Sequence, residues 1–408
     1  MSPANPDSLF DAERLRVYPR MTVAIYILAA IAVVATSTAM IDIFGKPLGY
    51  DFITFWAASH LTLAGEAAAA FDVQRIFAAE QLAVPAGDSI FLWNYPPTYQ
   101  LVVAPLALLP YVAAYLVFVG ASLAAYVLTL RRLFDERVAN SRDAFFLLVA
   151  FPGAFVCVFH GQNSLYSVAL FAGGLLAMER GRPYLAGFAL GLLAYKPQLG
   201  LLIPIALIAS RQWRVFFATG ATAFGFAALA TLVLGPDLWL AFLKNTPLVR
   251  EVMEQGLLRW YKMPSAFIFF RYLGVPTSIA YALQVLTALG AAACVALVWW
   301  RAGPSRLAWA VLVAATLLVP PYTFDYELAI LALVLVILAG DMVARGATTF
   351  EKAALVFLYV MPVLVAPISQ ATHLQIGFPA LLLALALSVK RALAQADRLA
   401  SLSSPAPL

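Results

Sequence analysis

Long uncharged apolar runs recur along this chain. Residues 21–41, 111–130, 215–235 and 277–300 each come close to the ~20 residues that a helix needs to cross the hydrocarbon of a bilayer. A backbone in lipid has no water to bond, so only helices and closed barrels can span it. These runs are rich in Ala and Leu and lack the polar–apolar alternation of barrel strands, which leaves helices. Composition agrees: of 408 residues, 63% are apolar and 12% charged, and the mean hydropathy is +0.88. A water-soluble fold of this length would lack the polar side chains to cover its surface. The expectation is an all-α, polytopic membrane protein with about eleven to thirteen membrane helices.

The charges give an orientation. Basic residues cluster before the first run (Arg14, Arg16, Arg20) and between later ones: Arg131, Arg132, Arg137 and Arg142; Arg180 and Arg182; Arg211 and Arg214; Arg301 and Arg306; Arg345 and Lys352; Lys390, Arg391 and Arg398. Assigned to one side, these hold 18 of the 26 Lys and Arg residues, the bias of a cytoplasmic face. The net charge of +5 is therefore a topology signal and not a nucleic-acid footprint. The chain divides into a cytoplasmic tail (1–20), a single transmembrane domain (21–390) with outer loops at 42–97 and 236–264, and a second cytoplasmic tail (391–408). The run after Arg20 is too long for a cleaved signal peptide and reads as a retained helix. Pro105 and Pro110 split 98–130, so either 98–109 is re-entrant or the loop at 131–142 lies outside. Cys157 and Cys294 sit inside apolar runs and read as buried hydrophobes, not as disulfide partners or metal ligands.

The outer loops are too long for simple turns, and stretches near 52–64 and 72–83 suit interfacial helices. Neither holds a phosphate-cradling glycine loop, which argues against a nucleotide-driven pump. Polar residues against lipid are costly, so they mark where function lies. Asp51, flanked by Tyr50 and Phe52, suits the N-cap of a helix and also a base able to take a hydroxyl proton, two compatible roles. Trp93-Asn94-Tyr95-Pro96-Pro97 enters the next apolar run with aromatics suited to the interface. His160-Gly161-Gln162-Asn163 either hydrogen-bonds a sugar or caps two helix ends. Lys196, in Tyr195-Lys196-Pro197-Gln198, either snorkels or pairs with an anion such as a lipid phosphate. Asp325 and Glu327 sit with two tyrosines at the outer end of a helix pair. Arg250, Arg259, Lys262 and Arg271 form a basic exception on an otherwise acidic face, explained by a phosphate ligand or by pairing with Glu251 and Glu254.

Taken in order, Asp51, Tyr95-Pro96-Pro97, Gly161-Gln162-Asn163, Ala186-Gly187…Gly191 leading into Lys196-Pro197-Gln198, and Arg211…Trp213-Arg214 resemble glycosyltransferase family 87, of the GT-C class of membrane glycosyltransferases. The resemblance covers roughly residues 45–340. It implies a GT-C-like bundle with interfacial helices on its outer face, working without a nucleotide or other cofactor and usually without a metal. No Asp-x-Asp motif occurs. It further implies inverting transfer of a hexose, mannose in the better-known members, from a polyprenyl-phosphate-linked donor to a glycan or glycolipid acceptor. The membrane would be the inner (plasma) membrane, with the site on its periplasmic or extracellular side. By the same resemblance Asp51 is the general base, and Lys196 with Arg259 or Lys262 neutralises the departing phosphate. Tyr95, Gln162, Asn163, Gln198 and Asp325 complete the expected substrate-binding set. A polytopic lipid or sugar transporter is the alternative; it would more often show an internal repeat, and none is visible here.

Overall fold

The computed structural model describes residues 12–134 and 141–403, and its regular elements are helices. Arg137 and the outermost parts of both expected tails lie outside the described residues. From a face rich in Arg and Lys the chain crosses in α1 (Ala12–Thr36) and forms α2 (Phe52–Leu63), α3 (Val73–Ala83) and α4 (Pro97–Val103) at the far face. It crosses back in α5 (Tyr111–Leu130), returns through α6 (Arg142–Val149) and α7 (Pro152–Phe159), bent by 62°, and crosses again in α8 (Ser164–Glu179). A helical hairpin follows: α9 (Pro183–Gly191) runs in, the chain turns at Lys196, and α10 (Ile203–Ala209) runs out. After α11 (Trp213–Leu234), the helices α12 (Asp237–Glu254) and α13 (Ala266–Tyr272) lie at the far face. The chain then alternates through α14 (Thr277–Ala302), α15 (Arg306–Thr316), a 3₁₀ turn at Asp325–Ile330 with α16 (Leu331–Arg345), α17 (Thr349–Thr372) and α18 (Gly377–Ser403).

Among the described residues, seven of these helices are long and apolar enough to span a membrane, or eight if the bent pair α6–α7 is counted as one span. Shorter apolar helices, among them α8, the two arms of the hairpin and α15, pack between these long ones. Burial sorts the spans. The segment Asp325–Arg345 has 67% of its apolar window buried and forms the centre of the bundle, whereas α1 and α11 have 6% and face lipid.

Ion pairs mark the basic face. Arg16 and Arg20 reach Asp143 at 3.4 and 2.8 Å, and Arg306 binds Glu179 at 2.6 Å while donating to the Leu133 carbonyl at 3.0 Å. Arg391, 10% exposed, holds Asp341 at 2.5 Å and Glu351 at 3.2 Å, so α16, α17 and α18 are tied at one level. The exposed pairs contribute little energy, but they show that the basic loops share a side. Leu133, just after α5, therefore lies on the basic face. Residues 97–109, by contrast, begin and end at the far face. Thr98 Oγ1 donates to the Ala194 carbonyl next to Lys196, and the Leu109 carbonyl accepts from the Trp56 indole at 3.0 Å. Both ends of the segment thus contact residues that the sequence placed towards the outer side, as the re-entrant reading expects.

In lipid, helix association depends on close packing and not on expelling water. Here α9 supplies Gly187 and Gly191 on one face, and α11 lies directly against them. A Cβ at Gly187 would sit 2.4 Å from the Ala218 Cβ, and one at Gly191 2.5 Å from the Thr222 Cβ. This contact fixes the hairpin that carries Lys196. Either glycine changed to leucine should lower the thermal midpoint by the equivalent of about 1–3 kcal/mol of overpacking, read by scanning fluorimetry of the purified protein. Unchanged midpoints in both variants would show that the contact does not hold the hairpin.

Candidate active site

Two tight turns meet at the far face. The first runs through Gly49 (φ +88°) and Tyr50 (φ +47°) into Asp51, and the second carries Gly161 at φ +60° between α7 and α8. A Cβ on Gly161 would stand 2.5 Å from the Phe52 Cβ and 2.8 Å from the Gly49 carbonyl oxygen. Only glycine lets the turns approach this closely in that backbone conformation. Gly161→Ala should cost at least about 1 kcal/mol from the left-handed backbone alone and separate Gln162 from Asp51. Joint loss of thermal stability and of activity is the expected reading; full activity in a stable Ala variant would show that the approach is dispensable.

Asp51 stands at the N-cap position of α2, yet its side chain makes no capping hydrogen bond. Its Oδ2 instead accepts from Gln162 Nε2 at 2.9 Å. Gln162 is itself oriented, since its Oε1 accepts from the Tyr95 hydroxyl at 3.1 Å and from the Asn163 N–H at 3.4 Å. Burial pushes the Asp51 carboxyl up from the ordinary aspartate range. The Gln162 amide and the charges of Lys262, Arg259 and Lys196 pull it partly back. A carboxylate held this way is a better proton acceptor than one in water.

Lys196, at the tip of the hairpin, is 3% exposed. Tyr195 anchors that tip by donating to the Asn163 carbonyl at 3.2 Å and sharing a hydrogen bond with Ser167 at 2.6 Å. The Lys196 ammonium donates to Asn163 Oδ1 at 3.2 Å and pairs with Glu327 Oε1 at 2.7 Å, beside the Tyr326 ring. The other Glu327 oxygen accepts from the Phe324 N–H at 3.1 Å, which fixes the carboxylate. Next to it, Asp325 is buried and takes the Tyr326 N–H at 2.9 Å.

The loop before α13 supplies the remaining charge. Lys262 Nζ lies 2.8 Å from His160 Nε2 and 5.9 Å from the centre of the Tyr50 ring. Burial, with the charges of Lys262 and Arg259, holds His160 well below the usual imidazole range, so the neutral ring accepts from the ammonium. Arg259 is exposed and within electrostatic reach of Asp51. Two other basic residues of this region are engaged elsewhere: Arg250 pairs with Glu254 at 2.6 Å, and Arg271 donates to the Val275 carbonyl and stacks over Trp260.

The far face thus gathers Asp51, Tyr95, Gln162, Asn163, Lys196, Lys262 and Asp325 into one cluster, with Arg259 at its rim. Gln198 is half-buried on the turn Pro197–Gly200 and makes no hydrogen bond to the cluster among the described residues. Glu327 and His160, which hold Lys196 and Lys262, stood in motifs that the sequence singled out but had no assigned role in the site. A buried lysine requires a carboxylate, and that requirement is the signal in the sequence that leads to the acids after Phe324. Chemically the cluster offers carboxylates, Asp51 and Asp325, beside several cations, an arrangement suited to deprotonating a nucleophile while stabilising an anionic leaving group.

Compared with known families, residues 93–321 match the family described as glycosyltransferase family 87, more than half of the chain. That span includes Tyr95, Gln162, Lys196 and Lys262, while Asp51 and Asp325 lie on either side of it and reach the cluster through the fold. No curated protein and no solved structure matches.

Proposed function

The chain belongs to glycosyltransferase family 87 and is a membrane glycosyltransferase, and we propose that it transfers a hexose, mannose first among them, from a polyprenyl-phosphate carrier to a glycan or glycolipid acceptor. The observation that carries this reading is the Asp51 carboxylate, which caps nothing and is instead aimed by Gln162. Asp51 takes the proton of the acceptor hydroxyl as its oxygen attacks the anomeric carbon. The bond from that carbon to the phosphate oxygen breaks, and the electron pair leaves with the lipid phosphate. Lys196, with Lys262 and Arg259, meets the developing charge. Tyr95, Gln162, Asn163 and Asp325 hold sugar hydroxyls, and Gln198 lines the approach.

The donor's tail lies in the bilayer, and its head meets the cluster at the far face. The bias of the positive-inside rule supports a cytoplasmic basic face and a cluster on the outer side, and the membrane of this reading is the plasma membrane. One displacement by one base inverts the anomeric centre. Product isolated from a donor of known configuration should therefore carry the opposite configuration by NMR; retention would overturn the single-displacement mechanism.

A further inference from the structure

Two cavities open on the basic face among the described residues. One, of about 410 Å³, is lined by Arg345, Lys390 and Arg391, but Asp341 and Glu351 also line it and pair with those cations. The other, of about 390 Å³, lies where the α8–α9 turn meets the start of α11, at the open foot of the hairpin that ends in Lys196. Met178, Gly181, Arg211, Gln212, Trp213 and Arg214 line it, and no acidic residue does. Neither Arg211 nor Arg214 makes an ion pair among the described residues, whereas Arg345, Lys390 and Arg391 at the other cavity all do.

Two more features accompany this unbalanced charge. Arg211 ends α10 in the left-handed region, at φ +56°, a position that the chain fills with glycine after α7, α8, α12 and α13 (Gly161, Gly181, Gly256 and Gly274). Glycine would adopt that backbone with less strain, so the guanidinium is kept against a local cost. Trp213, 48% exposed, stands beside it at the end of a lipid-facing span, the level at which tryptophans meet headgroups. The first turn of α11 has no side-chain cap, and its positive end faces the same place.

We propose that this cavity binds the phosphate of an anionic phospholipid headgroup, held by Arg211 and Arg214 with the acyl chains along α11. Planar guanidiniums suit bidentate contact with phosphate oxygens. A lipid seated there bridges the α8–α9 turn and the start of α11, and so braces the foot of the hairpin whose tip carries Lys196.

The test is native mass spectrometry of the full chain from micelles containing phosphatidylglycerol and phosphatidylcholine. Wild type should retain phosphatidylglycerol preferentially, and R211Q/R214Q should weaken its retention on the order of thirtyfold, taking both contacts together. Lys390→Gln, at the other cavity, should leave retention unchanged. Arg211→Gly separates binding from folding: it relieves the backbone, so the protein should remain at least as heat-stable while holding the lipid less well. Unchanged retention in both R211Q/R214Q and R211G would overturn the proposal and leave these arginines as orientation signals only. Displacement by inorganic phosphate as effective as displacement by phosphatidylglycerol would overturn the lipid assignment.

Discussion

Asp51→Asn is expected to lower sugar transfer by about 10²- to 10⁴-fold, the usual contribution of a positioned general base, while leaving expression and thermal stability close to wild type. Stability should survive because the Asp51 side chain caps no helix and its one hydrogen bond is to the Gln162 amide, which asparagine can still meet. The pH profile sharpens the test. Only the carboxylate form accepts a proton, so the wild-type rate should rise with pH as Asp51 ionises. Burial raises that ionisation above the ordinary aspartate range, and the acid limb should therefore lie above the ~3.9 of an exposed aspartate. The residual activity of the Asn variant should lack this limb. A variant that kept the limb and a rate within about tenfold of wild type would remove Asp51 from the role of base.

The second large effect concerns Lys196 and Glu327, each with a side chain only 4% exposed. Removing one member of a buried pair strands the other charge, at a cost of about 3–5 kcal/mol. Lys196→Ala should accordingly lower the thermal midpoint sharply as well as abolish transfer. Lys196→Ala combined with Glu327→Ala removes both charges and should recover most of the stability, yet not the activity, because the cation that meets the leaving phosphate is still missing. Recovery of transfer in the double variant would mean that Lys196 only balances Glu327. A midpoint as low in the double variant as in the single would mean that the site needs Lys196 for shape and not for charge.

Much of the fold was legible in the sequence because lipid imposes a length and a composition on anything that crosses it. The runs at 111–130 and 277–300 became α5 and α14 with little change, and the helix-like stretch near 52–64 became α2. The clustered arginines were legible as one face because charge bias is additive along a chain and needs no knowledge of packing. Less legible was anything set by contact between distant segments. Pro105 and Pro110 announced a break, but its outcome depended on Trp56 meeting the Leu109 carbonyl. The α9–α10 hairpin was visible only as two runs too short to be ordinary spans. Its turn at Lys196 rests on Gly187 and Gly191 fitting against Ala218 and Thr222.

The candidate site divides in the same way. Asp51, Gln162 and Lys196 could be named because polar residues are conspicuous in such a chain. Their arrangement could not, since Gln162 and Asp51 are 111 positions apart and meet only where Gly161 lets two turns touch. The capping role open to Asp51 on position alone was decided by geometry: the residue occupies the N-cap site, and its carboxylate turns to Gln162 instead. The split of the outer basic residues likewise followed from partners. Arg250 is taken by Glu254, while Lys262 is held by a histidine that carries no opposing charge and so leaves its own charge free for the cluster.

The central claim is that a sugar on a polyprenyl-phosphate carrier is handed to an acceptor hydroxyl at the Asp51 cluster. The most direct measurement incubates purified protein, in bilayers with a native glycolipid extract, with radiolabelled hexoses presented either on polyprenyl phosphate or on nucleotide diphosphates. Label should pass to the acceptor from one of the polyprenyl-phosphate hexoses, mannose first among them, and from no nucleotide sugar. Equal transfer from a nucleotide sugar in the absence of any lipid carrier would contradict the account.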